Sequence, residues 1–495
     1  MNAYNELEQM FRRIGALEQV EGMLHWDHSV AMPSGGAEAR AEQLAALGLV
    51  VHELFEDSRM AALLDAAEAD LPEGEWARGN LREMRRRWRH RTAVDGALVE
   101  AMSRATSKLE MAWRTARPEA DFAKVEKPLT EMLALVRENA AAKSTALGLP
   151  PYEALLDQYE PGARTASIDS LFADLAEFLP DFLQKVLDRQ ESAPPPIMPE
   201  GPFDIEAQRN LAVKLMGHIG FNFDHGRLDI SLHPFCGGVP DDVRITTRYD
   251  EHDFAQSLMG VLHETGHAMY ERNLPADWRL QPVGEARGMA MHESQSLLVE
   301  MQICRGPEFL GFAAPLMREA FGGTGAAWDL GNLSSLYTTV KPDFIRVDAD
   351  EVTYPAHVIL RYRLERALIA GDMQIADVPA AWNEGMQELL GITPPSDREG
   401  CLQDIHWFHG SFGYFPTYTM GALAAAQIFA AATKADGSIK ASIARGDFAP
   451  LMSWLSGNIH GRASIGSTDE ILIGATGAPL GTEAFKTHLE ARYLA

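Results

Sequence analysis

The sequence predicts a mainly α-helical protein with one small β-sheet. Apolar residues recur at helical spacing along nearly all of its 495 residues. Alternating stretches rich in Ile, Val and Thr occur chiefly at 227–232 and 243–249, the best strand candidates in the chain. Both lie directly before a helix, residues 253–273, that carries His263-Glu264-Thr265-Gly266-His267.

From residue 2 to about 191 the helical period persists, broken at points such as Met32-Pro33-Ser34-Gly35-Gly36. Consecutive prolines favour extended chain, so residues 192–202 (SAPPPIMPEGP) mark the expected boundary between regions 1–192 and 203–495. A helix opens near Asp204 and runs to about Ile219; the two strands follow. In the next helix, Phe254, Leu258, Val261, Leu262 and Met269 form the apolar face. A loop over 274–284, with Pro275 and Pro282, lets the chain turn back into a second helix over about 285–303. Helices punctuated by Gly and Pro fill the remainder, among them one containing His357 that continues to about Ala370. The longest apolar stretch, 420–432, is too short to span a bilayer and is broken by Gln427, so it reads as a buried, Ala-rich helix. No internal repeat of fixed period is present.

Composition is that of a soluble globular chain, 46% hydrophobic and 23% charged. A net charge of −26 argues against nucleic acid, which requires clustered Lys and Arg. The one strong basic run, 82–91, reads as a solvated helix face with acidic neighbours; a partner-binding patch is the second reading. Cys236, Cys304 and Cys401 lack CxxC spacing and cannot all pair, which fits a reduced, cytoplasmic setting. The N-terminus is an amphipathic helix without an apolar signal-peptide core, and no membrane segment is expected.

Two histidines four apart on a helix project from one face, so both rings reach one metal ion, and Glu264 flanks that face. Zinc takes neutral imidazoles, lowers the pKa of a water it binds to about 7, and needs a base for the released proton. A third protein ligand is also required. The second helix offers Met291-His292-Glu293-Ser294-Gln295-Ser296, where His292 and Glu293 point about 100° apart and only one faces the metal. Glu293 is the preferred ligand and His292 the competitor.

Further motifs occur once each. They are His233-Pro234-Phe235, Asp242-Val243-Arg244-Ile245-Thr246, His292-Glu293-Ser294, Ile345-Arg346-Val347-Asp348-Ala349-Asp350 and Gly400-Cys401-Leu402-Gln403-Asp404-Ile405-His406-Trp407. With the HExxH segment, these resemble in kind and order the motifs of the carboxypeptidase Taq family of zinc metallocarboxypeptidases. Leu24-His25-Trp26-Asp27-His28 and Tyr159-Glu160-Pro161-Gly162 are also similar to that family, the first more loosely. The resemblance covers nearly the full length. It implies a large helical metallopeptidase with a deep central cleft, residues 1–192 forming one wall and 203–495 the catalytic region. It implies a homodimer that removes single residues, with broad specificity, from peptides with a free C-terminus. It also implies Zn²⁺, or Co²⁺ in some members, with His263, His267 and Glu293 as metal ligands and Glu264 as base. After His292-Glu293-Ser294-Gln295-Ser296 this chain has Leu297-Leu298-Val299-Glu300, where many members carry an Arg and a Trp.

Peptide hydrolysis needs a neutral donor for the developing oxyanion, and His406 with Tyr414 is the expected pair, Tyr418 competing. A guanidinium fork suits a terminal carboxylate, which points to Arg346; the alternative is an internal ion pair with Asp348 or Asp350. Asp242, Arg244 and Thr246 share one strand face, which either lines the cleft or hosts a salt bridge from Arg244 to Asp242 or Asp250. His233 either lines the cleft or packs in the core, and Asp404 can orient a neighbour. His357 is assigned no chemistry. Rival functions are a zinc endopeptidase or dipeptidyl carboxypeptidase on the same helix, and a non-catalytic helical peptide-binding scaffold.

Overall fold

A computed structural model describes residues 2–494, and among these there are twenty α-helices and a single three-stranded sheet. Helices form where the period predicts them. One ends at Glu191 and the next opens at Ile205, with extended chain between. The HExxH helix runs Phe254–Arg272, and the Asp253 side chain accepts from the backbone N–H groups of Ala255 (2.9 Å) and Gln256 (3.2 Å), an N-cap that fixes where it starts.

The sheet has strands β1 (Gly226–Ile230), β2 (Phe235–Val239) and β3 (Asp242–Thr247) in the order β1-β3-β2. β1 lies parallel to β3 and β2 antiparallel to it. β2 is the strand the pattern did not predict: Gly237-Gly238 occupies its centre, and glycine carries no strand preference. The second expected helix also differs. Its α-helical part is Gly288–Leu297, and a π-helical stretch, Leu298–Cys304, follows directly. Apolar periodicity does not distinguish the two geometries.

Three apolar cores hold the chain together. The first joins residues of the long helices before position 192 (Leu133, Phe172, Phe182) to residues after position 340 (Trp382, Phe408, Phe415). The second encloses the HExxH helix through Leu258, Val261, Leu262 and Tyr270. The third packs the N-terminal helices on one another through Phe11, Phe55 and Met84. Each fully buried Leu or Phe contributes roughly 1.5–3 kcal/mol. Two helices belong to both of the larger cores. Gly288–Leu297 gives Ala290 to the first and Met291 to the second, and Pro416–Ala435 gives Leu423 to the first and Ala425 to the second. The metal-ligand candidate Glu293 therefore stands on a helix clamped at the junction of the two cores. No helix among the described residues is long and apolar enough to cross a membrane.

Candidate metal centre

Close helix crossing sets the position of Glu293. At Gly266 a Cβ would lie 2.3 Å from the carbonyl oxygen of Gln295, so the HExxH helix touches the helix behind it backbone to backbone. On the other side, a Cβ at Gly421 would lie 2.7 Å from the Cβ of Glu293. Glu293 is thus held between two helices that approach closely only because both contact positions are glycine. The Ser296 hydroxyl lies 2.7 Å from the Glu293 carbonyl oxygen and 3.3 Å from its Oε2.

His263, His267 and Glu293 each present one ligand atom, and the three atoms lie within 4.8 Å of one another. Glu293 Oε2 is 3.9 Å from His263 Nε2 and 3.4 Å from His267 Nε2. The other ring nitrogens are engaged behind the site. His263 Nδ1 meets Glu300 Oε2 at 2.9 Å; a carboxylate can only accept, so Nδ1 carries a proton and Nε2 is the nitrogen left to face a metal ion. His267 Nδ1 is 3.1 Å from the carbonyl oxygen of His292 and 2.6 Å from its Nδ1. His292 Nε2 bonds Glu271 at 2.8 Å, which leaves its Nδ1 to accept from His267. His292 therefore stands behind His267, on the far side from Glu293, and is not one of the converging ligands.

Charge in this pocket favours a cation. Burial opposes the charged form of His263, yet Glu293, Glu300 and Glu264 together lift its pKa to about 10. Burial likewise opposes the charge on Glu293, but His263 and His267 hold its carboxyl down at about 2. His267 is pushed down to about 4 by burial and by His292, which keeps it a neutral ligand. Two imidazole nitrogens and a carboxylate oxygen, converging among further carboxylates, fit a divalent metal ion. Glu264 is buried, and burial lifts its pKa to about 7, in the range suited to a general base.

The second part of the site is a cationic and aromatic cluster. Arg346 is buried; its Nε and Nη2 donate to Asp404 Oδ1 (3.1 and 2.8 Å) and its Nη1 to the Tyr354 hydroxyl (3.0 Å). The ion-pair partner is Asp404, not Asp348 or Asp350; the latter caps the backbone at Val352 and Thr353. Arg361, fully buried, donates to the same Asp404 at 2.7 Å. Two guanidiniums sharing one carboxylate leave an excess positive charge. The Tyr418 ring lies 4.9 Å from the Arg346 guanidinium, and its hydroxyl is 3.4 Å from His406 Nε2. Burial pushes the pKa of His406 down to about 4 and that of Tyr418 up to about 12, so both are neutral donors. The Tyr414 phenol is also raised, chiefly by burial; the Glu293 carboxylate is among the charges acting on it and on Tyr418. His406 and Tyr414 rings stand 5.6 Å apart.

Glu365 anchors this loop. It accepts from Trp407 Nε1 (2.8 Å), the Gly413 backbone (3.0 Å) and the Tyr152 hydroxyl (2.8 Å). Glu300 and Glu365 went unremarked as site residues in the sequence. The available signal was a lone carboxylate inside a buried helix, as in Leu297-Leu298-Val299-Glu300-Met301.

The remaining expected residues lie by the sheet. Arg244 pairs with Asp242 (2.6 Å) rather than Asp250, and its guanidinium stacks 4.4 Å from the Trp26 ring, bringing the Leu24–His28 motif onto β3. The His233 side chain is exposed on the β1–β2 connection and makes no hydrogen bond among the described residues; its carbonyl accepts from Ser231. Among the described residues, neither makes a hydrogen bond or ion pair with His263, His267 or Glu293.

A family model described as carboxypeptidase Taq (M32) metallopeptidase matches residues 6–493. The chain is 36% identical to thermostable carboxypeptidase 1 of Thermus thermophilus, over 100% of this chain and 98% of that protein. Among solved structures, Trypanosoma cruzi metallocarboxypeptidase 1 superposes with a TM-score of 0.98 at 40% identity, covering 100% of this chain and 99% of that one. The M32 carboxypeptidase of Deinococcus radiodurans superposes with a TM-score of 0.94 at 30% identity, covering 99% and 98%.

Proposed function

Since this chain belongs to the carboxypeptidase Taq (M32) metallopeptidase family and is a metal-dependent carboxypeptidase, we propose that Zn²⁺ held by His263, His267 and Glu293 serves the release of single residues from peptide C-termini. The observation that carries this reading is the meeting of two imidazole Nε2 atoms and one carboxylate oxygen within 4.8 Å, beside the buried Glu264. A divalent ion there supplies Lewis acidity and acidifies the attacking water.

The protein's own groups do the rest. Glu264 takes the proton from the attacking water and passes it to the leaving amine. His406 and Tyr414 donate to the oxygen that gains charge, with Tyr418 next to both. Arg346 has five N–H donors and gives three to Asp404 and Tyr354, so two remain for the terminal carboxylate. The excess positive charge shared with Arg361 draws that carboxylate in. Arg244 and His233 line the approach of the peptide, which lies between the helices of residues 1–192 and the catalytic region 203–495. Co²⁺ can replace Zn²⁺ in the same ligand set.

The protein works in the cytoplasm as a homodimer. Its three cysteines are unpaired, two of them buried, in keeping with a reducing compartment. Sedimentation of the purified protein checks the dimer, and metal analysis checks the ion.

The test is a product map of one unblocked peptide and its C-terminally amidated twin. Shortening one residue at a time, slowed strongly by amidation, is expected; internal cuts indifferent to amidation would overturn the reading. In the same assay Glu264→Gln keeps its metal and loses turnover by several orders of magnitude; near-normal turnover would remove Glu264 from the mechanism.

A further inference from the structure

The helix Glu75–Thr92 carries Arg78, Arg82, Arg85 and Arg89 at spacings of four, three and four, which places all four on one face. Like charges at that spacing repel and weaken a helix unless something neutralises them. In a chain of net charge −26, such a stripe is out of keeping with the rest of the surface.

The stripe forms the wall of a cavity of about 400 Å³, completed by Arg86 and Arg164. Its lining thus holds six guanidiniums against two carboxylates, Glu68 and Asp157. The inner arginines are fixed in place. Arg85 bonds Glu68 (2.8 Å) and Asp65 (2.5 Å), and Arg86 bonds Glu83 (2.8 Å). The outer ones keep spare donors. Arg78 gives one bond, from Nε to the carbonyl of Pro72, and Arg82 gives one, from Nη2 to the carbonyl of Ile465. Arg89 makes no hydrogen bond among the described residues, and neither Arg78 nor Arg89 has a carboxylate within ion-pair distance there. Leucines 71, 147 and 149 supply an apolar border.

We propose that this cavity is a binding site for a small diphosphate-bearing anion, separate from the metal centre. Guanidinium forks meet phosphate oxygens with paired hydrogen bonds, and the outer arginines have the free donors to do so. The least compensated charge sits on Arg78 and Arg89, with Arg82 between them reached, among the described residues, only by Glu83 at 3.7 Å. A diphosphate concentrates its charge and acceptor oxygens in a volume well inside that of the cavity. The apolar border gives an organic group attached to the diphosphate a surface to rest on.

The test is calorimetric titration of the metal-loaded protein with inorganic pyrophosphate, ADP and tetraglutamate at low salt. The variants are Arg78→Ala/Arg89→Ala, both exposed positions, and Arg104→Ala on a different helix as control. Any removal of the catalytic metal by these ligands is common to all three proteins and cancels in the comparison. Saturable binding of pyrophosphate or ADP that weakens at least about tenfold in the double variant, and not in Arg104→Ala, supports the site. Tighter binding of ADP than of pyrophosphate assigns it to an organic diphosphate; equal binding assigns it to the inorganic ion. Identical titrations of the wild type and the double variant overturn it, as does tetraglutamate binding as tightly as either phosphate ligand.

Discussion

Glu300 accepts the Nδ1 proton of His263 across 2.9 Å and is itself held by Arg305 at 2.7 Å. One contact fixes both the ring orientation and the tautomer of His263, and the Arg305 contact keeps Glu300 ionised although it is buried. Replacing Glu300 by Gln removes the charge while keeping the size. Affinity for the metal should fall about 10–100-fold with the fold intact, read by competition with a chelator of known affinity. An unchanged affinity would leave Glu300 a purely structural residue.

Arg346 offers a different kind of test. Lysine keeps the charge but cannot hold Asp404 and a substrate carboxylate with one rigid fork. For Arg346→Lys, KM for a free-carboxylate peptide should rise by at least about tenfold, with a smaller change in kcat, and the residual cleavage of the amidated peptide should stay as it was. Equal losses on both peptides would mean that Arg346 acts through the stability of the loop and not through the carboxylate.

Stability against acid should depend on Glu351. Burial disfavours its charge, but His488 (2.7 Å) and Arg492 (3.1 Å) overcome this and hold the carboxyl at about 2. A carboxyl whose pKa is lowered by folding stabilises the protein above its unfolded value, near 4.3, and that contribution fades as pH falls toward 2. Compared with wild type, Glu351→Gln should be less stable by roughly 3 kcal/mol at pH 7, and the gap should narrow steadily below about pH 4.5. Denaturant titrations at several pH values measure it. A gap that is constant with pH would assign the loss to packing.

How far the sequence revealed this site depended on whether the partners were close in the chain. The HExxH helix was legible from its apolar period, and Glu293 could be proposed as a ligand from its place on the following helix. The clamp formed by Gly266 and Gly421 was not, because neither glycine has a local reason to be there; its cause lies on another helix. For Arg346, read as a binder of the terminal carboxylate, the alternative ion pair was sought only at its near neighbours Asp348 and Asp350; Asp404 is better placed because the folded loops bring it against both arginines. β2 escaped notice because its glycines carry no pattern, and the π-helical stretch at Leu298–Cys304 because its apolar residues suit either helix.

The account rests on a divalent ion shared by two rings from one helix and a carboxylate from the next. Its most direct test is the metal content of wild type and Glu293→Ala after equilibrium dialysis against a weak chelator, with circular dichroism confirming that both are folded. The expected result is one ion per chain in the wild type and almost none in the variant. A variant that is folded and retains a full equivalent of metal would contradict the proposed ligand set.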